Sequence, residues 1–203
     1  MRKSNLTAGS AVFFIVCLLL SPRPARAADV STYSFAGCAF PDTNQSVSYT
    51  ATFGEDHDYA SSISTMSFTI YNPVGISSVT VDNRTGLMWV TTPLTDAGFK
   101  GTQTWVSALT SCTVTLNGMA YAGYTDWRLP NVRELMSIVD YGAASVPRIN
   151  TTAFPGTVSD FYWTSTTYVP NSTIAWHVYF NAGYVGNSAK TNSLYVRCVR
   201  GGP

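Results

Sequence analysis

Four charged side chains, Asp126, Arg128, Arg133 and Glu134, crowd between positions 126 and 134 of a chain in which charged residues make up only 11%. This is the first place to look for chemistry, and its carboxylates and guanidiniums lie close enough in sequence to pair with one another. Catalysis would need a nucleophile or a further carboxylate beside them, and the sequence offers none. There is no Gly-x-Ser-x-Gly elbow, phosphate-cradling glycine loop or paired-histidine metal spacing. The two histidines, His57 and His177, stand far apart. The acidic run Glu55-Asp56-His57-Asp58 alternates as a calcium loop would, but a hard cation needs more oxygen ligands than it supplies. A solvated turn is the expectation there. No catalytic residue and no cofactor are expected, with a structural calcium as the one alternative.

The charged block reads better as a helix start. Asn131 followed by Glu134 has capping-box spacing, Pro130 discourages helix upstream, and Val132, Leu135, Met136 and Val139 recur at helical spacing. Asp126, Trp127, Arg128 and Glu134 are therefore expected to be structural. Upstream, Val79 and Val81 alternate with polar residues before the turn chemistry of Asp82-Asn83-Arg84-Thr85-Gly86. Leu87-Met88-Trp89-Val90 then resumes an apolar strand, which predicts a hairpin. Trp105, Ala108, Leu109 and Cys112 mark an amphipathic helix with Cys112 on its buried face. From Phe161 on, short strands alternate with turns: Tyr162 to Thr167, Ile174 to Phe180, Tyr184 to Ser188 and Leu194 to Arg200, with Asn181-Ala182-Gly183 turning between two of them. Trp176, Val178 and Phe180 should share one face, and His177 and Tyr179 the other. Trp163 and Trp176 are expected in structural roles. The order predicts an α+β domain, two helices packed on short, mostly antiparallel strands.

Positions 1–27 read as a secretory signal peptide: Arg2 and Lys3, an apolar run from Ala11 to Leu20, then the small residues of Ala25-Arg26-Ala27. A polar extension over 28–74 and a main domain over 75–203 would follow. Export removes four basic residues, leaving eight Lys and Arg against eleven Asp and Glu, a net charge near −3. No basic run remains, which argues against nucleic acid or an anionic membrane as partner. Export also leaves Cys38, Cys112 and Cys198, so at most one bridge forms within the chain. Cys112 and Cys198 are the expected pair because both sit in strongly patterned elements; Cys38 is then free or paired between chains. A secreted, cell-surface or periplasmic bacterial protein is the expectation.

Between Phe161 and Val196 the only formally charged residue is Lys190. The rest is dense in Tyr, Trp, Asn, Ser, Thr and Gly, a composition that suits strands and turns. It equally suits surfaces that bind through rigid aromatic area and small polar groups. The candidate ligand-binding residues are Tyr168, Asn171, His177, Tyr179, Tyr184, Asn187, Lys190 and Asn192, and a glycan or a surface protein is the partner such a face would take.

Several of these blocks, in this order, resemble a bacterial domain family typified by the C-terminal domain of the Legionella collagen-like adhesin. They are Thr80-Val81-Asp82-Asn83-Arg84-Thr85-Gly86-Leu87-Met88-Trp89; Trp105, Ala108 and Cys112; Gly123-Tyr124-Thr125-Asp126-Trp127-Arg128-Leu129-Pro130-Asn131 with Glu134-Leu135; Tyr162-Trp163-Thr164-Ser165-Thr166; Ala175-Trp176, Phe180, Gly183 and Lys190; and Val196-Arg197-Cys198-Val199-Arg200. The resemblance implies a fold like that of C-type lectins and formylglycine-generating enzymes, with the last strands forming a ligand face. It supports a Cys112–Cys198 bridge. It also implies a non-catalytic, adhesin-like role, the better-understood member binding sulfated glycosaminoglycans. No collagen-like repeat and no paired catalytic cysteines near the C-terminus are present, so neither trimerisation through such repeats nor formylglycine-generating activity carries over. A recognition protein whose C-terminal strands are diversified by a retroelement, and an enzyme of unknown chemistry, are the alternatives.

Overall fold

The computed structural model describes residues 42–59, 65–72, 77–99 and 101–201. The expected signal peptide and Cys38 lie outside them. A one-turn helix α1 (Asp56–Tyr59) precedes strands β1 (Phe68–Tyr71), β2 (Val79–Asp82) and β3 (Met88–Val90). Helix α2 (Trp105–Thr110) and helix α3 (Val132–Met136) follow, then β4 (Phe161–Thr167), β5 (Ile174–Tyr179), β6 (Tyr184–Ala189) and β7 (Val199–Arg200). The strands form two antiparallel sheets, ordered β1-β2-β3-β7 and β4-β5-β6. This is the mixed α/β arrangement that the order of sequence patterns predicts. Strand β1 falls inside the stretch read as an extension, yet it pairs along its whole length with β2. That segment completes the main sheet.

Both sheets stand between two cores. Met88 and Val90 of β3 and Trp163 of β4 pack with Ala108, Cys112 and Leu116 of the α2 side. Their strand neighbours Trp89 and Tyr162 pack with Leu135, Ile138 and Val139 around α3. Alternation along a strand thus feeds each core in turn. The sequence reading made α2 an ordinary helix. In the structure it continues into a wider, π-type segment, Ser111–Leu116. Thr110 and Thr113 hydroxyls donate to the carbonyls four residues back, Val106 and Leu109, competition that loosens the normal ladder. Cys112 and Leu116 remain fully buried.

The final segment departs most from expectation. A single strand over Leu194 to Arg200 was the reading; the chain instead crosses from one sheet to the other. Leu194 bridges to Gln103 and Tyr195 runs beside Tyr162, whereas Val199 bridges to Arg128, and β7 pairs with β3. In between, Cys198 is bonded to Cys112 across 86 residues. Arg197 is fully buried, with no acid partner among the described residues. Its guanidinium donates to the Val90 and Thr91 carbonyls at 2.7 and 2.8 Å and to the Thr157 hydroxyl at 2.8 Å, and lies over the Phe154 ring at 4.9 Å. Burial pushes its pKa down to about 10, so it stays charged at neutral pH inside a cage of neutral acceptors. Closing a loop of this length is worth about 4–5 kcal/mol in the chain-entropy model. The Cys112→Ser/Cys198→Ser variant should therefore lose about 3–5 kcal/mol of unfolding free energy in urea titration; a loss below about 1 kcal/mol would mean that the crossover is held by its hydrogen bonds alone.

Candidate functional site

The charged block forms two ion pairs. Arg128 holds Glu134 with two parallel hydrogen bonds of 2.7 Å. Glu134 also accepts from the Asn131 N–H at 2.8 Å, while Asn131 accepts from the N–H groups of Arg133 and Glu134. The capping box is complete. Asp126 pairs outside the block, accepting from Arg200 Nε at 2.7 Å, and the Arg200 guanidinium covers the Tyr124 ring at 3.8 Å. Asn117 clamps Trp127 by bonding both its N–H and its carbonyl. Every one of these contacts fixes a turn or a helix start. Of the four charges close enough in sequence to pair, Arg128 and Glu134 pair with each other, and Arg133 enters no ion pair among the described residues.

The acidic run is likewise occupied by nearby backbone N–H groups and one side-chain amide. Glu55 accepts from Tyr49 N–H and the Gln45 side chain, and Asp58 from the N–H groups of Gly54 and Glu55. Among the described residues no group of three or more His, Cys, Asp or Glu is gathered as a metal would require.

The eight candidate ligand residues do not form one cluster. Strand alternation and register place Phe161, Trp163, His177, Tyr179, Tyr184 and Gly186 on one face of the β4-β5-β6 sheet. Trp163 is buried under α2, but the other end of this face is open. There Phe161 stacks on Tyr179 at 4.2 Å and Tyr179 meets Tyr184 at 5.2 Å, so three rings cross the three strands in a row. Gly183, at φ 78°, turns the chain between the last two rings and donates its N–H to the Tyr179 carbonyl. Tyr184 is 48% exposed.

His177 belongs beneath this row rather than in it. It is 5% exposed, edge-on to Phe161 at 4.7 Å. A Cβ on Gly186 would come within 2.6 Å of its Nε2, so only glycine leaves room for the ring. Its Nδ1 has no hydrogen-bond partner among the described residues. Burial holds the imidazole below its ordinary pKa, and the ligand face is drawn without it.

The remaining candidates lie elsewhere. Tyr168 meets Trp176 at 5.2 Å, and Asn187 is opposite Trp176 in register, all on the reverse side of the sheet. Trp176 is half-buried, not the core residue expected. Asn171 shapes the β4–β5 turn by accepting from Thr173, and Asn192 lies in the exposed turn after β6. Lys190 is engaged: its Nζ sits 3.9 Å over the Trp105 ring and donates to Thr167 Oγ1 at 2.8 Å. It ties the end of β6 to α2. Phe161, a full member of the row, was missed because the strand was read from Tyr162; its place two residues before Trp163 was the available signal.

These features define a class, an α+β domain of two antiparallel sheets closed by one long-range disulfide, with an uncharged aromatic row on its second sheet. Residues 78–200 match the family model of the Lcl C-terminal domain. The match spans more than half of the chain, which therefore belongs to that family. A search of curated proteins finds no match. Among the described residues no helix is long and apolar enough to cross a membrane, and a structural disulfide is the mark of an oxidising compartment.

Two depressed groups, the half-buried Glu134 and the buried His177, contribute two acid steps. For Glu134, burial alone would raise the carboxyl, but the Arg128 hydrogen bonds and the Asn131 N–H outweigh it and hold the pKa below the ordinary 4.5. A depressed carboxylate stabilises the fold above its unfolded pKa, and that contribution is lost as pH falls through the folded value. His177, also depressed, leaves the unfolded chain to take up the proton first, so stability declines once pH drops below about 6.5. Unfolding free energy measured against pH should thus fall in two stages; His177→Leu should abolish the upper one and Glu134→Gln shrink the lower. A profile flat from pH 7 to 5 in the unmodified protein would contradict the buried, neutral imidazole.

Proposed function

We propose that this protein is an exported, non-catalytic ligand-binding domain with a C-type-lectin-like fold, acting in adhesion or surface recognition. The observation that carries the reading is the Phe161–Tyr179–Tyr184 row. It offers flat apolar ring area and phenolic hydroxyls on a sheet whose backbone is already fixed, so little ordering entropy is lost on contact. Ring faces of this kind stack on the C–H faces of sugars, and the neighbouring small polar side chains can bond hydroxyls. The absence of charge on the row favours a neutral partner over a sulfated one. The family's adhesin-like character and the disulfide support an extracellular setting.

A glycan array and a host-surface binding assay, run with and without calcium, test the proposal. Tyr179→Ala and Tyr184→Ala should each weaken binding about tenfold or more, and Tyr184→Ala should leave the unfolding transition almost unmoved because that side chain is largely exposed. Blank arrays together with no surface binding would remove the reading, as would variants that bind unchanged.

A further inference from the structure

The turn between β5 and β6 separates the last two rings of the row, and a side chain from elsewhere holds it. Gly183 N–H closes the turn on the Tyr179 carbonyl. Tyr141, two residues beyond Val139 of the α3 core, reaches the same glycine. Its phenolic hydroxyl donates to the Gly183 carbonyl. Its ring packs there as well, since a Cβ on Gly183 would come within 2.9 Å of Tyr141 Cε1 and 3.0 Å of Val139 Cγ1. Tyr184, the exposed ring, has Tyr179 as its one ring neighbour among the described residues. Its place is therefore set by the turn more than by packing.

Tyr141 is in turn seated by chain that precedes the first strand. Its N–H donates to the Thr43 carbonyl at 2.9 Å. The next residue, Gly142, meets the Asn44 backbone so closely that a Cβ there would collide with the Asn44 carbonyl oxygen. Asn44 takes φ 62°, and its side chain accepts the Met66 N–H at 3.3 Å, just before β1. Thr43 donates its hydroxyl to Asp56, and Gln45 its side-chain amide to Glu55 at 3.0 Å. The acidic run thus belongs to a small folded tab whose inner edge, Thr43-Asn44, seats the turn at residues 140–142.

We infer that Tyr141 is a positioning residue for the ligand face, and that Thr43 and Asn44 set Tyr141 in place. Together they fix the β5–β6 turn and with it the spacing of Tyr179 and Tyr184. The inference rests on the binding role proposed for the row, and it puts part of that row's support outside the family-matched residues 78–200. A turn at the end of a sheet opens locally at low cost unless something braces it. Each ligand contact made on an unbraced turn must first order it, which lowers affinity without removing any contacting group. Tyr141 supplies that order in advance while touching neither outer ring.

The test compares three variants of the protein expressed from its full coding sequence. Tyr141→Phe removes only the hydroxyl, Tyr141→Ala removes ring and hydroxyl, and Gly142→Ala disturbs the Asn44 seat without touching β5 or β6. Amide hydrogen exchange at Gly183 is read relative to Val199 N–H, which bonds Arg128 in the crossover; a general loss of stability speeds both alike. Gly183 should exchange about two- to tenfold faster than in the unmodified protein for Tyr141→Phe and Gly142→Ala, and faster again for Tyr141→Ala. The Tyr179–Tyr184 ring-proton contacts in NMR spectra should weaken in the same order. An unchanged Gly183-to-Val199 ratio in both Tyr141 variants overturns the role of Tyr141, as do intact ring contacts in Tyr141→Ala. Gly142→Ala without effect overturns the part given to Thr43 and Asn44. A glycan array run on the same proteins separates the two readings. A blank array for the unmodified protein counts against the proposed function and leaves exchange to decide the positioning role, whereas sugars bound equally well by Tyr141→Ala overturn that role.

Discussion

The fold hangs on how the seven residues from Leu194 to Arg200 are held. From Leu194 to Arg200 the chain touches the start of α2, both sheets and the Asp126–Arg128 turn, and the Cys112–Cys198 bond pins it at mid-course to the buried side of the helix. Each contact alone is modest, a net of about 1 kcal/mol for an ordinary hydrogen bond. Together they join parts of the chain that otherwise share little backbone bonding. The covalent link supplies the entropy that a segment of mostly single bridges cannot recover by itself. Arg197 adds specificity of position: a buried guanidinium with two carbonyls, a hydroxyl and a ring face to satisfy has one acceptable location.

That constraint accounts for the way the charged block is paired. Arg200 comes from the crossover and Asp126 from the turn, so their pair closes the same seam that Arg128 closes through its backbone bonds to Val199. Arg128 has its side chain committed to Glu134 and its main chain to the sheet. Charge in this protein is concentrated where segments distant in sequence must be registered against each other, and it is nearly absent from the strands that present side chains to solvent.

Local pattern made much of this legible. The hairpin, both helix starts and the capping box follow from spacings within a few residues, the bridge from the patterned elements that hold Cys112 and Cys198, and alternation placed His177 and Tyr179 on one face of β5 with Trp176 on the other. What escaped was non-local. Nothing in Val196-Arg197-Cys198-Val199-Arg200 reveals a change of sheet, because alternation continues through it. Nor does any signal in the sequence show that Asp126 reaches Arg200, or that Lys190 turns back onto Trp105. Composition pointed to these strands but could not assign the side of the sheet, and so it mixed the Tyr179–Tyr184 side with the Trp176–Asn187 side. Burial of His177 is a consequence of Gly186 on the neighbouring strand, a pairing that sequence distance conceals.

The division between seam and face has an energetic consequence. Tyr184, Asn187 and Asn192 project from backbone already fixed by the β5–β6 ladder and its turns. Exposed substitutions at such positions change stability by about 0.5 kcal/mol or less, well inside the margin that the disulfide alone supplies. Phe161 and Tyr179 are more constrained, since each also packs around His177 or its neighbours. The row therefore has a conserved-geometry half, set by packing, and an outer half free to change its chemistry. The β6 side is therefore where side chains can change at least cost in stability.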